Sequence, residues 1–359
     1  MLIQMIHPIT FSIPFEKIVT RIPSKTKILS DIIPDFARRY NYNTETEYYN
    51  EYKQSFFATT TKKAGWDCMR HYEIIANGCI PYFPNIEECP LLTMALLPKD
   101  LLKEGNELYA QFSKKTIDSL TPGDMLAYNT LVNKFLDYTR NNLTTYKLAE
   151  YVLKESRFYL DSNELANEGQ MVSSIQYPTA VLYGANQTWL EKKVSKMFHA
   201  TNAFFGADPV PEVAKIVKKV NSTILFLSGS TYPDYLRCLT LHGLKSLMGS
   251  KCHDYPKISH IYKTNMNFGN LYGKGMTYSN LLDNSLRDDS LDTNIERLIK
   301  KKYFDLIIYG SYHRGMPLLE LVNESYKPNE IVLLCGEDIH NCNNDEWVKK
   351  GYTVFVREI

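Results

Sequence analysis

The segment 62–83 combines basic, aromatic and acidic side chains at spacings that suit phosphate binding. It reads KKAGWDCMRHYEIIANGCIPYF and predicts a loop, a short helix, a turn and a strand. The free N–H groups at the helix N-terminus, with Asp67 as the N-cap and Arg70 beside them, would seat a phosphate or diphosphate. Glu73 follows Arg70 on the same helical face, where its carboxylate can accept hydrogen bonds from sugar hydroxyls.

Groups that can transfer protons lie in loops of the C-terminal half. The sequence Gly-Glu-Asp-Ile-His follows an apolar run and contains Glu337, Asp338 and His340, each of which can take a proton from a hydroxyl group. Asp234 and His313 lie in two similar loops and are the next candidates for a general base. An acid after a strand can equally cap the following helix, so the sequence leaves the choice of base open.

The residues Arg70-x-x-Glu73 and the following ANGCIP, 76–81, resemble the donor-binding signature of exostosin-like glycosyltransferases of the GT-B type. This resemblance implies that Arg70 lies near the diphosphate of a nucleotide sugar and Glu73 near its ribose. The other expected donor-binding residues lie in the same segment: Lys62, Lys63, Gly65, Trp66, Asp67 and His71. The alternative is an ordinary helix, turn and strand with a solvated ion pair between Arg70 and Glu73.

Small and basic residues are expected to complete the acceptor or phosphate side of the site. They are Gly229, Ser230, Ser311 and Arg314, in loops after apolar runs. The sequence contains no D-x-D motif of metal-dependent transferases, and Asp288-Asp289 is a poor substitute. We therefore expect no metal and no cofactor besides the nucleotide sugar as co-substrate, with UDP as the first choice of nucleotide.

The surrounding elements predict an α/β fold with two units. Residues 1–160 are expected to form a Rossmann-like donor domain with helices at its end, residues 161–218 a helical connector, and residues 219–359 a Rossmann-like acceptor domain. From 223 onward apolar runs alternate with helices, which indicates a doubly wound sheet whose ligands lie beyond the carboxyl ends of the strands. The resemblance implies that the two domains face a cleft, as in GT-B enzymes.

The order of the two units departs from the family pattern, in which the donor domain is C-terminal. Residues 354–359 resemble the segment that leaves the family's first domain, and residues 7–14 resemble the segment that follows it. We therefore expect a circular permutation, which proteins tolerate when the termini are close together at the surface. The resemblance covers about 1–100 and 220–359.

The composition is typical of a soluble globular protein, with 44% hydrophobic and 23% charged residues. A formal net charge of +1 gives no overall field that would attract nucleic acid or an anionic membrane. Seven cysteines without a C-x-x-C pair indicate reduced thiols, and Cys335, His340 and Cys342 lack a nearby fourth zinc ligand. The N-terminal residues fit neither a signal peptide nor a membrane span, so we expect a cytoplasmic protein, compatible with a viral gene.

Two other functions remain open. The first is a phage-type glycosyltransferase that acts on hydroxymethylated DNA bases, which needs a local basic surface because the chain is nearly neutral. The lysines available for it are Lys114, Lys115, Lys192, Lys193, Lys218 and Lys219. The second is a non-catalytic module that binds a nucleotide sugar, against which the crowded polar loops argue. In the favoured function the acceptor is a glycan or another hydroxyl compound.

Overall fold

The computed structural model describes residues 6–34, 42–173, 175, 178–230, 232–339 and 342–359. The strands in chain order are β1 (His7–Pro8), β2 (Lys27–Leu29), β3 (Ser55–Thr59), β4 (Ile80–Tyr82), β5 (Ser162–Asn167), β6 (Met171–Val172), β7 (Thr179–Ala185), β8 (Thr188–Val194), β9 (Phe198–His199), β10 (Ile216–Val220), β11 (Ile224–Leu227), β12 (Cys252–Tyr255), β13 (Leu306–Tyr309), β14 (Ile331–Cys335) and β15 (Thr353–Val356). The helices are α1 (Glu45–Lys53), α2 (Met69–Ala76), α3 (Lys99–Phe112), α4 (Pro122–Tyr138), α5 (Thr145–Glu155), α6 (Asn202–Phe205), α7 (Tyr235–Met248), α8 (Ile295–Lys300), α9 (Leu319–Ser325) and α10 (Asn344–Lys349).

The larger sheet has six parallel strands in the order β1-β15-β14-β13-β11-β12. Its five C-terminal strands therefore have the spatial order 2-1-3-4-5 of a doubly wound sheet. The chain moves from β11 outward to β12 and then returns to the other side of β11 to form β13. This reversal places the carboxyl ends of β11 and β13 on either side of the switch point, where sheets of this kind bind their ligands.

Helices cover both faces of the larger sheet, and the side chains of each strand alternate between them. Ile224 and Phe226 of β11 share a hydrophobic cluster with α5 and α7. Leu225 and Leu227 instead pack with Ile299 of α8 and its neighbours in α9 and α10. Because both faces are covered, these strands are continuous apolar runs in the sequence, which is the pattern that predicted them.

Two parts of the first 160 residues pack on the larger sheet. Strand β1 pairs in parallel with β15, so the two ends of the described chain lie side by side. Helix α5 lies against α7 so closely that a Cβ atom on Gly243 would come within 1.8 Å of the Thr145 carbonyl oxygen. The predicted donor unit thus contributes a strand and a helix to the other unit.

The smaller parallel sheet has the order β2-β3-β4, with α1 before β3 and α2 before β4. The predicted loop, helix, turn and strand of 62–83 are confirmed: α2 and β4 are joined by a turn in which Gly78 has φ +64°. The left-handed conformation at Gly78 ends the helix, as is usual for a glycine just after the last helical residue.

The helical connector predicted for 161–218 is wrong, because this segment is mainly β-structure. Strands β5, β10, β7 and β8 form an antiparallel sheet, and β6 pairs with β9. In the described part of the segment the only α-helix is the four-residue α6. Val181 and Tyr183 are buried in this sheet's own small core, where branched and aromatic residues favour strands.

The predicted mixed α/β class, with parallel sheets and covering helices, is confirmed. One hydrophobic cluster joins the smaller sheet, through Phe57 and Ile80, to α5, α7 and the larger sheet. The smaller sheet and the larger one are therefore fixed to each other by a shared core. Among the helices in the described part of the chain, none combines the length and the apolar character needed to cross a membrane.

Candidate functional site

A cleft of about 540 Å³ opens where the loop between β3 and α2 meets loops at the carboxyl ends of β11, β13 and β14. This is the edge of the larger sheet at which its topology predicts a ligand site. The lining residues are Phe11, Lys63, Ala64, Gly65, Asp67, Cys68, Met69, Pro233, Asp234, Tyr235, Tyr272, Arg314, Gly336, Glu337 and Asp338. The structure thus brings together residues that the sequence placed in different loops.

The loop that precedes α2 is held by the C-terminal residues of the chain. The Glu358 carboxylate accepts hydrogen bonds from the backbone N–H groups of Trp66, at 3.1 Å, and Asp67, at 2.9 Å. A Cβ atom on Gly65 would lie 2.5 Å from Glu358 Oε1 and 3.1 Å from the Asp338 carbonyl oxygen, so glycine allows this close approach without a shift of either neighbour. The wall of the cleft is therefore formed jointly by residues nearly 300 positions apart, which the sequence alone does not reveal.

Asp67 does not cap α2, so the predicted N-cap is wrong: the N-cap is Cys68. Asp67 Oδ2 accepts the Phe11 backbone N–H at 2.7 Å, and Oδ1 accepts the Tyr72 hydroxyl at 2.9 Å. Both carboxylate oxygens of Asp67 therefore bind groups other than the first backbone N–H groups of α2. Burial raises the pKa of Asp67, against the opposing effect of Arg357.

Three predicted donor residues lie beneath the cleft rather than in its lining. Arg70, His71 and Glu73 are all buried. His71 connects the Thr60 hydroxyl, 2.9 Å from Nδ1, with the Trp66 carbonyl, 2.8 Å from Nε2. The hydroxyls of Tyr48, at 2.7 Å, and Thr277 donate to Glu73, and burial raises the pKa of that carboxyl.

Cys68 lines the cleft and was missed by the sequence reasoning. It is the N-cap of α2, and its Sγ lies 3.5 Å from His71 Nε2. Although burial acts in the opposite direction, the charges of His71 and Arg70 lower the pKa of the Cys68 thiol to about 7. The spacing Cys-x-x-His at a predicted helix N-terminus is the signal that could have identified it.

On the opposite wall, Asp234 caps α7 and positions Arg314. Asp234 Oδ1 accepts the Arg237 backbone N–H at 3.0 Å, and Oδ2 accepts Arg314 Nε at 2.9 Å. The capping alternative is therefore correct for this acid. The exposed Arg314 is the cation that this wall presents.

The small predicted residues shape the loops of this wall. A Cβ atom on Gly229 would lie 2.1 Å from the Gly315 carbonyl oxygen, so two loops cross backbone to backbone at the switch point. The Ser230 carbonyl accepts a hydrogen bond from the buried Arg237 guanidinium, and Ser311 is itself buried. Gly229, Ser230 and Ser311 are not among the residues that line the described cleft.

The acid-rich loop after β14 supplies Glu337 and Asp338 to the cleft. Asp338 accepts a hydrogen bond from Arg357, which is fully buried and also donates to the Gly336 carbonyl, at 3.1 Å from Nη2. Glu337 Oε1 lies 3.0 Å from His313 Nε2, and burial lowers the pKa of His313. His340, the third predicted base, lies outside the described residues.

The basic residues split into two groups. Lys63 lines the cleft, whereas Lys62 lies over the buried Trp66 ring, 5.2 Å from its centroid, and outside the described lining. Of the lysines proposed for DNA, Lys115 pairs with Asp124, and Lys218 lies 3.8 Å from the centroid of the Trp189 ring. These contacts engage two of the six lysines, and the alternative of a DNA-modifying enzyme stays a hypothesis.

The cysteines differ from the expectation of seven reduced thiols. Cys335 and Cys342 form a disulfide, and His313 lies beside them. The described residues with free thiols are Cys68, Cys79, Cys89, Cys238 and Cys252. The disulfide joins the two ends of the loop that carries Glu337 and Asp338.

The cleft combines groups suited to anion binding with carboxylates and a thiol that can exchange protons. Helices α2 and α7 both begin at it, with Cys68 and Asp234 as N-caps, so two positive helix ends reach the same space. Lys63 and Arg314 add cationic charge from opposite walls. Comparison of the chain with protein-family models, curated proteins and solved structures found no match in any of the three.

Proposed function

We propose that this chain is a glycosyltransferase that moves a sugar from a nucleoside-diphosphate sugar, with UDP as the first choice, to an acceptor hydroxyl. The observation that carries the proposal is the cleft: two helix N-termini, Lys63 and Arg314 surround it, and carboxylates lie within the same lining. In this proposal the two parallel sheets are the two halves of a GT-B fold. The pairing of β1 with β15 supports the permuted order.

The positive groups of the cleft would stabilise the leaving diphosphate. Charge develops on the diphosphate as its bond to the anomeric carbon breaks, and preorganised N–H groups and cations lower the barrier most when they face that charge. The first N–H groups of α2 and α7 supply dipoles, and Lys63 and Arg314 supply cationic side chains, of which Arg314 is held in place by its ion pair with Asp234. This set of donors needs no divalent cation for the leaving group.

Glu337 is the residue that we assign as general base for the acceptor hydroxyl. Asp234 is engaged by Arg314 and Asp338 by Arg357, whereas the Glu337 carboxylate contacts the imidazole of His313. Unlike Asp234 and Asp338, which are paired with arginines, Glu337 is paired with an imidazole. It can therefore accept the hydroxyl proton as the acceptor attacks.

The role that the resemblance implies for Glu73 requires a movement. The hydroxyls of Tyr48 and Thr277 now occupy its carboxylate, as two ribose hydroxyls would. Thr277 has φ +74°, which is unfavourable for a β-branched residue, so its backbone is held in a strained conformation. We propose that the donor ribose displaces Thr277 and relieves this strain.

A thermal-shift and hydrolysis screen against UDP-, GDP-, ADP- and dTDP-sugars tests the proposal. A ligand that binds the folded state raises the melting temperature according to RT ln(1 + [L]/Kd). We expect one nucleotide class to stabilise the wild type, and Lys63→Ala and Arg314→Ala to reduce that shift. Lys62→Ala is the matched control, because Lys62 is adjacent in sequence but does not line the cleft.

Glu337→Gln separates binding from chemistry. It should keep the donor-induced shift and lose hydrolysis and transfer, by roughly 10²–10⁴-fold if Glu337 is the general base. Adding Mg²⁺ or Mn²⁺ should not raise the rate. If no nucleotide sugar shifts the wild type at millimolar concentration, the transferase proposal is wrong, and a shift without any turnover would indicate the binding module.

A further inference from the structure

Three side chains with metal-binding atoms meet behind the acidic wall of the cleft. Cys335 ends β14, Cys342 lies just before α10, and His313 lies in the short 3-10 helix Tyr312–Arg314 that follows β13. One ligand atom from each lies within 4.8 Å of the others. The sequence places two of them together and leaves the third 22 positions before Cys335, so only the fold completes the set.

His313 has the surroundings of a metal ligand. Its side chain is only 9% exposed, and although Nε2 lies beside the Glu337 carboxylate, neither ring nitrogen makes a hydrogen bond of good geometry to a described residue. An imidazole buried in this way is costly unless something binds it. Glu337 Oε1, 3.0 Å from Nε2, is placed as the carboxylate that commonly supports a metal-bound histidine through its other nitrogen.

We propose that Cys335, Cys342 and His313 form a Zn²⁺ site when the two cysteines are reduced, and that their disulfide is the metal-free state. Two thiolates and one imidazole are a donor set that suits zinc, with the fourth tetrahedral position open to water. Reduction by a small thiol breaks the S–S bond: two reductant thiols are oxidised to their disulfide, and two cysteine thiols form. Zinc then binds the two thiolates and releases their protons.

The site would act on the cleft through the loops that it joins. Gly336, Glu337 and Asp338 directly follow Cys335, and Arg314 directly follows His313; all four line the cleft. A zinc ion would fix these two loops to each other through His313, whereas the disulfide links only Cys335 to the segment before α10. The proposal stands independently of the transferase reaction, because metal content does not depend on a sugar donor.

A Co²⁺ titration of the full-length chain tests it. After reduction with a phosphine, which does not compete as a thiol ligand, we expect one Co²⁺ per chain and the near-ultraviolet absorption of cobalt thiolates. Oxidation of the cysteine pair should abolish both. His313→Gln and Cys342→Ser should weaken binding by at least the roughly 10–100-fold that loss of a supporting residue costs. His199→Gln and Cys89→Ser are controls that change an exposed histidine and a half-buried cysteine elsewhere.

Alkylation of the wild type avoids any dependence on variants that fold poorly. Zn²⁺ should slow the modification of reduced Cys335 and Cys342, mapped by mass spectrometry, and leave Cys89 unaffected. The proposal is overturned if the reduced wild type binds no Co²⁺, or if binding is the same in His313→Gln, Cys342→Ser and the controls. Equal protection of all cysteines by Zn²⁺ would also overturn it, because the metal would then bind without site preference.

Discussion

Arg357 is the residue on which the two walls of the cleft depend. Its side chain is fully buried and donates hydrogen bonds to the Gly336 and Asp67 carbonyls. It also donates to the carboxylates of Asp338 and Glu358 and lies 4.6 Å from the centroid of the Phe11 ring. The loop before α2 and the loop after β14 therefore share one guanidinium. Planar, fixed donors make arginine suited to such a junction in a way that lysine is not.

Replacing Arg357 should destabilise the protein strongly. Arg357→Met leaves Glu358 buried without its cation and the Asp67 carbonyl without its donor, so we expect a loss of about 3–5 kcal/mol of unfolding free energy. Chemical denaturation measures it. Arg297→Met, at an exposed arginine of α8, is the control and should stay within about 0.5 kcal/mol of wild type. A small effect at Arg357 would mean that the two loops are held by other contacts.

Cys68 should react as a thiolate at neutral pH. Its pKa of about 7 predicts an alkylation rate that rises as pH increases through 7 and then becomes constant, since the thiolate is the reactive form. Burial raises the pKa of Cys89, so its rate should continue to rise at higher pH. Iodoacetamide labelling with mass spectrometry distinguishes the two residues. Identical pH profiles would contradict the influence of His71 and Arg70 on Cys68.

At the scale of elements, the switch point depends on two glycines that let loops cross. The loop after β11 passes the loop after β13 at Gly229 and Gly315; there is no room for a side chain at Gly229, and Gly315 has a left-handed φ of +118° that favours glycine. Helices α5 and α7 approach each other in the same way at Gly243, where a side chain would meet the backbone of α5. Close backbone approach, rather than a special backbone dihedral, explains glycine at 229 and 243, because no left-handed φ is recorded at either position.

Gly229→Ala should therefore be destabilising, whereas Gly123→Ala should not. An added Cβ at Gly229 meets backbone at 2.1 Å and forces the two loops apart, which costs about 1–3 kcal/mol and should weaken donor binding as well. At Gly123, in the first turn of α4, the nearest atom is 3.7 Å away. Alanine there should be neutral or stabilising by up to about 1 kcal/mol. Equal melting temperatures for the two variants would exclude a tight crossing.

At the scale of the whole molecule, one core joins the two parallel sheets. The cluster that contains Phe57 of β3 also contains Ile308 of β13. Strand β1 and α5 cross from the first 160 residues to the larger sheet. Both parallel sheets should consequently unfold together.

Calorimetry of paired core variants tests this cooperativity. Phe57→Ala and Ile308→Ala should each lower the temperature of the same single transition, because each cavity weakens the shared core by about 2–5 kcal/mol. Fluorescence and far-ultraviolet circular dichroism should give the same midpoint. Two transitions, of which each variant moves only one, would show that the sheets are independent domains.

The sequence by itself determined the elements whose patterns are local. Continuous apolar runs predicted β11, β13, β14 and β15, and the segment 62–83 predicted α2, its turn and β4. Such patterns are readable because burial on both faces of a sheet, or on one face of a helix, fixes the residue type at each position. The antiparallel strands of 161–218 were missed because their polar and apolar residues alternate irregularly around a small separate core.

Only the tertiary structure decided which side chains form the cleft and which support it. Arg70 and Glu73 have the spacing of binding residues, yet packing buries both, while Lys63, Cys68 and Arg314 line the space. The roles of Arg357 and Glu358 depend on contacts with residues about 290 positions away. Sequence spacing gives the distance between neighbours along one element, but burial and cross-chain contacts depend on how all elements pack together.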